Sequence, residues 1–155
     1  MTQRGSSPFA PSGYKVWRNV KEYGAKGDGV TDDTVAINRA ISDGGRCGAN
    51  CGSSTIYPAY YNTQLIGDPL ELPTILAVSS FVGLGVSTSD VYIGDQEEWY
   101  ININNFLCSV RNFKVDITRT DQGAYVCAVH WQVAQGSSLK ELEIYMTQDA
   151  STTQQ

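Results

Sequence analysis

Two stretches of this chain superpose when one is shifted by 29 residues: VRNFKVDIT, starting at Val110, and LKELEIYMT, starting at Leu139. Both carry apolar residues at the first, fourth, sixth and eighth positions and a threonine at the ninth. Val110, Phe113, Val115 and Ile117 therefore correspond to Leu139, Leu142, Ile144 and Met146. A hairpin returns after a few turn residues. Recurrence after one long excursion is instead what stacked coils of a solenoid require, because each coil buries its inner face only against its neighbours. One matched pair also arises in a β-sandwich, so the repeat alone leaves both architectures open.

The chain beyond residue 56 supports a β-rich reading. TQLIGD at 63–68, TILAV at 74–78, FVGLGV at 81–86 and YININNF at 100–106 are short apolar or alternating runs between Gly, Pro, Asp and Ser turns, which predicts strands. Asp116, Glu141 and Glu143 alternate with the apolar ladder and are expected on its outer, solvated face.

Upstream the pattern changes. Residues 1–13 (MTQRGSSPFAPSG) lack periodicity and predict a flexible arm over 1–15. NVKEYGAKGDGVTDDTVAINRAIS then places Gly24, Gly27 and Gly29 in a compact turn. Thr31 is the expected N-cap of a helix over about 32–42. Asp32 and Asp33 set negative charge against its dipole, and Val35, Ile37, Ala40 and Ile41 supply its apolar face. Gly44 and Gly45 end it, and 46–55 reads as loop. One partial β domain over 16–148 and a disordered tail over 149–155 complete the expected organisation.

Charge excludes some partners. Eleven basic against 16 acidic residues give a net of −5, with no Lys/Arg stretch that could track phosphates, so nucleic acid is not expected. No apolar run reaches membrane-spanning length, and Met1–Gly5 leads into polar residues rather than a signal core, so no membrane partner is expected. GAKGDG runs into an acidic helix start that would repel a pyrophosphate, which argues against a nucleotide cofactor.

Cys47, Cys51, Cys108 and Cys127 permit two disulfides, and the Gly-rich setting of RCGANCG makes Cys47–Cys51 the candidate pair. The spacing is not repeated and His130 is the one histidine, remote from them in sequence, so no metal is expected.

NVKEYGAKGDGVTDDTVAINRAI resembles the entry segment of pectate-lyase-like proteins, in which a strand, a glycine turn and a capping helix close the N-terminal end of a β-helix. RCGANCGSST, YYNTQLIGDPLELPTI, VRNFKVDIT and AVHWQVAQGSSLKELEIYM narrow the resemblance to fungal exo-β-1,3-glucanases of glycoside hydrolase family 55, over most of residues 16–148. The resemblance implies an all-β, right-handed parallel β-helix with an N-terminal capping α-helix. It also implies secretion and inverting hydrolysis of β-1,3-glucan from the non-reducing end by two β-helix domains. Two departures matter. After Ser53, Ser54 and Thr55 the chain runs directly into IYPAYYNTQ, where relatives place an additional strand with a PPGTY-like segment. The family's catalytic carboxylates lie further along than this chain extends, so it is expected to be an N-terminal portion, inactive alone and lacking its second β-helix domain.

No residue maps onto a catalytic acid. Inverting hydrolysis needs two carboxylates about 6.5–9.5 Å apart with water between them. Asp28, Asp32 and Asp33 have sufficient local roles in the turn and helix start. Glu97 and Glu98 precede Trp99 and Tyr100, whose aromatic faces suit stacking on sugar rings. His130 and Trp131 form a second pair, fit for proton transfer and stacking but equally for packing beneath a loop. Trp99, Tyr100, His130 and Trp131 are thus the candidate substrate-binding residues. The alternatives are a non-catalytic glycan-binding or structural module, and a pectin-degrading lyase or polygalacturonase-like enzyme, for which no calcium-type Asp cluster is visible.

Overall fold

A computed structural model describes residues 12–44, 46, 55–58, 60–90, 92 and 102–155. The chain divides into two compact units, Met1–Ser53 and Ser54–Gln155. Cys47, Cys51, Glu97, Glu98, Trp99, Tyr100 and most of the N-terminal arm lie outside the described residues.

In the first unit a 3-10 turn, Val20–Tyr23, ends at Gly24 with φ 107°. Gly27 and Gly29 follow in left-handed conformations, as a turn this tight requires. Asp33 carboxylate oxygens accept from the Lys26 and Gly27 amides at 2.8 and 2.7 Å, holding the turn closed. Helix α1, Thr34–Ser42, therefore starts later than the expected 32, and Asp33 at its N-cap gives it no side-chain bond. Thr31, the expected cap, is instead gathered into an Asp28 turn, its amide and hydroxyl both 2.7 Å from that carboxylate. Asp32 reaches the Thr34 amide at 2.9 Å. The turn and helix start thus consume all three carboxylates. Ala36, Asn38, Ala40 and Ile41 are buried, and Val35 is exposed. At the helix C-terminus Arg18 donates to the Ala40 and Ile41 carbonyls, 3.0 and 3.3 Å, with its guanidinium 4.9 Å from the Tyr14 ring centre.

The second unit is β-rich, and every strand pairing among the described residues is parallel. Its centre is β4, Ser109–Asp116. On one side of β4 lie β1, Gln64–Ile66, paired with Ser109–Arg111, and β2, Thr74–Leu76, paired with Lys114–Asp116. On the other side lies β6, Ser138–Tyr145, with Val110 beside Leu139, Phe113 beside Leu142 and Val115 beside Ile144. The register is the one the 29-residue shift predicts. A second parallel pair joins β3, Ser87–Thr88, to β5, Val129–His130. Single bridges link Ile56 to Ser87 and Gly83 to Val126.

Side chains at positions one and four of each repeat would face opposite ways on a regular strand, since the side-chain period is two. The backbone resolves this with a left-handed residue at position three, Asn112 in β4 and Glu141 in β6, which resets the phase so that Val110 and Phe113 are both buried. At the same corner the β1–β2 level carries residues 67–73. Gly67 packs against the Asn112 carbonyl oxygen too closely for any Cβ. A second left-handed corner recurs two residues before each strand, at Asn62, Leu107 and Gly136.

Ala77, Phe81, Val86, Val115, Ile117, Val126 and Ala128 form the core. Burial depends on having a level on each side. Val110, Val115 and Ile117 in and after β4 are 1%, 1% and 0% exposed, but their counterparts Leu139, Ile144 and Met146 are 41%, 45% and 42% exposed.

Three expectations are corrected. FVGLGV contributes only the Gly83 bridge, and pairing resumes at Ser87. YININNF contains a 3-10 turn, Asn102–Asn104, where asparagines favour local turn bonding, while Asn105 is buried and bonded. Residues 149–155 do not behave as a disordered tail. The Gln155 amide donates to Val126 O and its carbonyl accepts from the Ala128 amide, both at 2.8 Å, so this segment lies along residues 126–128.

Candidate functional site

The β3–β5 pairing sets Thr88 beside His130. Gly85 makes this possible, because a Cβ there would stand 2.8 Å from the His130 amide nitrogen. Thr88 Oγ1 lies 3.0 Å from His130 Nδ1 and 3.1 Å from Asp90 O. The single hydroxyl hydrogen goes to Asp90 O, the only partner there that must accept, so Nδ1 carries the imidazole proton and donates to Thr88. Nε2 then accepts from Gln132 Nε2 at 3.3 Å. Both ring nitrogens of His130 are thereby committed within the chain, as in the packed reading of this residue. Its neighbour Trp131 is half-buried.

A buried polar network continues from there. Ser89 Oγ donates to Gln132 O at 2.8 Å and accepts from the Gln132 amide at 2.7 Å. Asn105, fully buried, donates from Nδ2 to Ser89 O at 3.0 Å and accepts from the Cys108 thiol at 2.7 Å. Cys108 and Cys127 are free thiols. The network leaves these atoms satisfied, which rigidifies the turn beneath them.

Asp90 is the one buried carboxylate among the described residues. Asp116 and Glu143 have local duties at the surface. Asp116 Oδ1 accepts from the Thr118 amide and hydroxyl at 2.9 and 2.6 Å. Glu143 pairs with Lys114 at 3.7 Å and accepts from Tyr145 Oη at 2.6 Å, which pushes the Tyr145 phenol up. Among the described residues no group of His, Cys, Asp and Glu gathers to hold a metal ion, and no helix is long and apolar enough to cross a membrane.

A feature missed in the sequence is an open, neutral groove lined by Tyr61, Phe106, Leu107, Gln135 and Gly136. Tyr61, Phe106 and Gln135 occupy the same position on three successive levels, three residues before β1, β4 and β6. The Asn62 amide donates to Phe106 O at 2.9 Å, and the Leu107 amide to Gln135 O at 3.3 Å, so the left-handed corners stack. Tyr61 and Phe106 meet edge to face with ring centres 6.4 Å apart. Exposed aromatic and aliphatic surface beside an amide can hold a sugar ring. The motifs YYNTQ and YININNF contain both rings, but their equivalence is visible only once the register is known.

Known proteins carry the same segment. One from Penicillium expansum, named "Non-secreted LysM effector LysM15", is 70% identical over 172 aligned positions, covering 100% of this chain and 12% of that protein. One from Arthroderma benhamiae, named "Probable glucan endo-1,3-beta-glucosidase", is 47% identical over 93% of this chain and 18% of that protein. The "Glucan 1,3-beta-glucosidase" of Cochliobolus carbonum is 41% identical over 98% of this chain and 22% of that protein. The chain thus spans 12–22% of the length of these relatives. Alignment of all 155 residues takes 172 positions in the first comparison, so that relative has 17 positions without a counterpart here. Residues 17–155 match the family described as rhamnogalacturonase A/epimerase, pectate lyase-like, and the chain belongs to it.

Proposed function

We propose that Ser54–Gln155 forms coils of a right-handed parallel β-helix belonging to a secreted hydrolase of β-1,3-glucan, and that this chain contacts glycan without cleaving it. Parallel strands joined by long excursions are right-handed in nearly all proteins, which supports the handedness. The observation that carries the substrate is 41–47% identity, over 93–98% of the chain, to two proteins named for the 1,3-β-glucosidic bond. One of the two names specifies endo action and the other specifies no mode, and the proposal leaves the mode to the whole enzyme. Inactivity in isolation is supported by Asp90 being the one buried carboxylate among the described residues, where inverting hydrolysis needs a facing pair. In this reading a second β-helix domain supplies the catalytic carboxylates.

A non-catalytic role as a binding or structural module is favoured by a different observation: the 70% identical relative is named as an effector. That relative is also named non-secreted, so fractionating medium from cells bears directly on secretion. The pectin-directed alternative draws its support from the family description alone.

The test is to incubate the purified chain with laminarin and with polygalacturonate, reading released sugar and bound polysaccharide together. Laminarin binding without release is the expected result. Glucose release would overturn the claim of inactivity, and absence of laminarin binding would sink the glucan reading. If the groove makes the contact, Tyr61→Ala weakens binding while His130→Ala, whose ring is committed internally, leaves it in place.

A further inference from the structure

The left-handed corners at Asn62, Leu107 and Gly136, with φ 55°, 60° and 75°, stand one above another, and the middle one holds the residue least suited to that backbone. Asparagine and glycine take this conformation readily, whereas leucine is strained in it. Burial does not offset the strain, because Leu107 is 44% exposed. That exposure lies on the flank of the coils and not at an end of the stack: Phe106 O accepts from the Asn62 amide on one side, and the Leu107 amide donates to Gln135 O on the other. Gly136 keeps the leucine clear, since a Cβ there would stand 2.6 Å from Leu107 Cδ2. Strain held where packing does not require it points to a ligand.

We propose that Leu107 is the floor of a glycan subsite, and that this column of corners takes an internal run of a neutral glucan chain laid along the axis of the coils; the assignment rests on the glucan reading above. A β-glucosyl ring carries its hydroxyls around the rim and presents two C–H faces, which pack on aliphatic and aromatic surface. Leu107 with the Tyr61 and Phe106 rings supplies that surface, and the Gln135 side-chain amide, donor and acceptor together, suits the rim hydroxyls. From the level of Tyr61 to that of Gln135 the column crosses two inter-strand steps, about 10 Å. That is longer than one pyranose ring, so more than one glucosyl residue is in contact. Charge selects between polymers. No lining residue is charged and the chain carries a net −5, so a polyuronate finds no cation in the column and is repelled by the molecule as a whole.

The test uses the whole 155-residue chain and measures its binding to laminaribiose, to longer laminari-oligosaccharides and to oligogalacturonates by calorimetry, beside urea unfolding of each variant. Affinity is expected to rise with oligosaccharide length until the column is filled, with oligogalacturonates bound far more weakly. Leu107→Asn and Leu107→Gly place at this corner the residues that the neighbouring levels already carry. Each is expected to raise the urea midpoint, as the corner relaxes, and to weaken laminari-oligosaccharide binding about tenfold. A packing role for Leu107 gives the reverse, a lower midpoint, and that result overturns the assignment. So does laminari-oligosaccharide binding that both variants leave unchanged, an outcome in which the glucan reading survives. Affinity independent of length overturns the extended run, and equal binding of oligogalacturonates overturns the neutral class. A wild-type chain that binds no laminari-oligosaccharide overturns the glucan reading and the subsite with it.

Discussion

Asn112 and Glu141 stand between the same paired neighbours, Arg111 with Lys140 and Phe113 with Leu142, and both hold left-handed backbone, at φ 62° and 50°. The corner they form turns the inner ladder through a phase that a straight strand cannot accommodate. Asparagine tolerates this conformation; glutamate pays the steric cost of its Cβ, about 1–2 kcal/mol for an ordinary L-residue. Glu141→Asn should therefore stabilise the chain by about 0.5–1 kcal/mol, seen as a higher urea midpoint with an unchanged slope. Glu143→Asn, on the same exposed strand without positive φ, should give no gain. Equal effects at both positions would refute backbone relief as the cause.

Gly85 is held to glycine by proximity rather than by its backbone angle. A Cβ would lie 2.7 Å from Ser87 O, 2.8 Å from His130 N and 3.0 Å from His130 Cβ, so β3 and β5 must part to admit it. Gly85→Ala should cost about 1–3 kcal/mol, the range of overpacking in a tight interior. Gly123→Ala, whose Cβ would meet nothing nearer than Asp121 Oδ1 at 3.6 Å, should be neutral or slightly stabilising. Chemical denaturation of the two variants side by side measures the difference.

Gln154 is buried and saturated. Its Nε2 donates to Thr120 Oγ1 at 2.9 Å and Ile117 O at 3.0 Å, and its Oε1 accepts from the Thr147 amide at 2.8 Å. Gln154→Leu keeps the volume but strands those partners, at a cost of about 1–3 kcal/mol. Amide hydrogen exchange should rise at Thr147 and along 126–128, where Gln155 pairs. Unchanged protection there would mean that the segment packs independently of this side chain.

The legible and illegible parts of the fold divide along a physical line. Val110 and Leu139 could be aligned because a one-residue corner preserves the apolar spacing in both repeats. The level below was hidden by residues 67–73, which separate β1 from β2 and break the same spacing. β3 and β5, two residues each, are too short for any period to register. Left-handed Leu107 and Glu141 are residues for which sequence offers no warning, unlike Gly136. At the site, His130 drew notice as the single histidine, but its partner Thr88 is 42 residues away and only the parallel register brings it near. The stacked pair Tyr61 and Phe106 was concealed for the same reason.

The Asp28 turn makes acid sensitivity predictable in sign. Its carboxylate accepts from the Thr31 amide, the Val30 amide and the Thr31 hydroxyl, and these bonds lower its pKa from 3.8 to about 2. A carboxyl depressed on folding contributes stability that is fully present above its unfolded value and lost as pH falls through the folded one. The contribution of Asp28 should thus be constant above pH 3.8 and fade toward about pH 2. Asp32, Asp43 and Asp149 shift in the same direction, so total stability falls over a similar range and the single residue must be isolated by difference. Asp28→Asn preserves the side-chain oxygen for the turn but cannot titrate. The gap in urea midpoint between wild type and this variant should be flat from neutral pH downward and close only within the acid window. A gap that stays open at the acid end would show that Asp28 acts through turn geometry rather than through its charge.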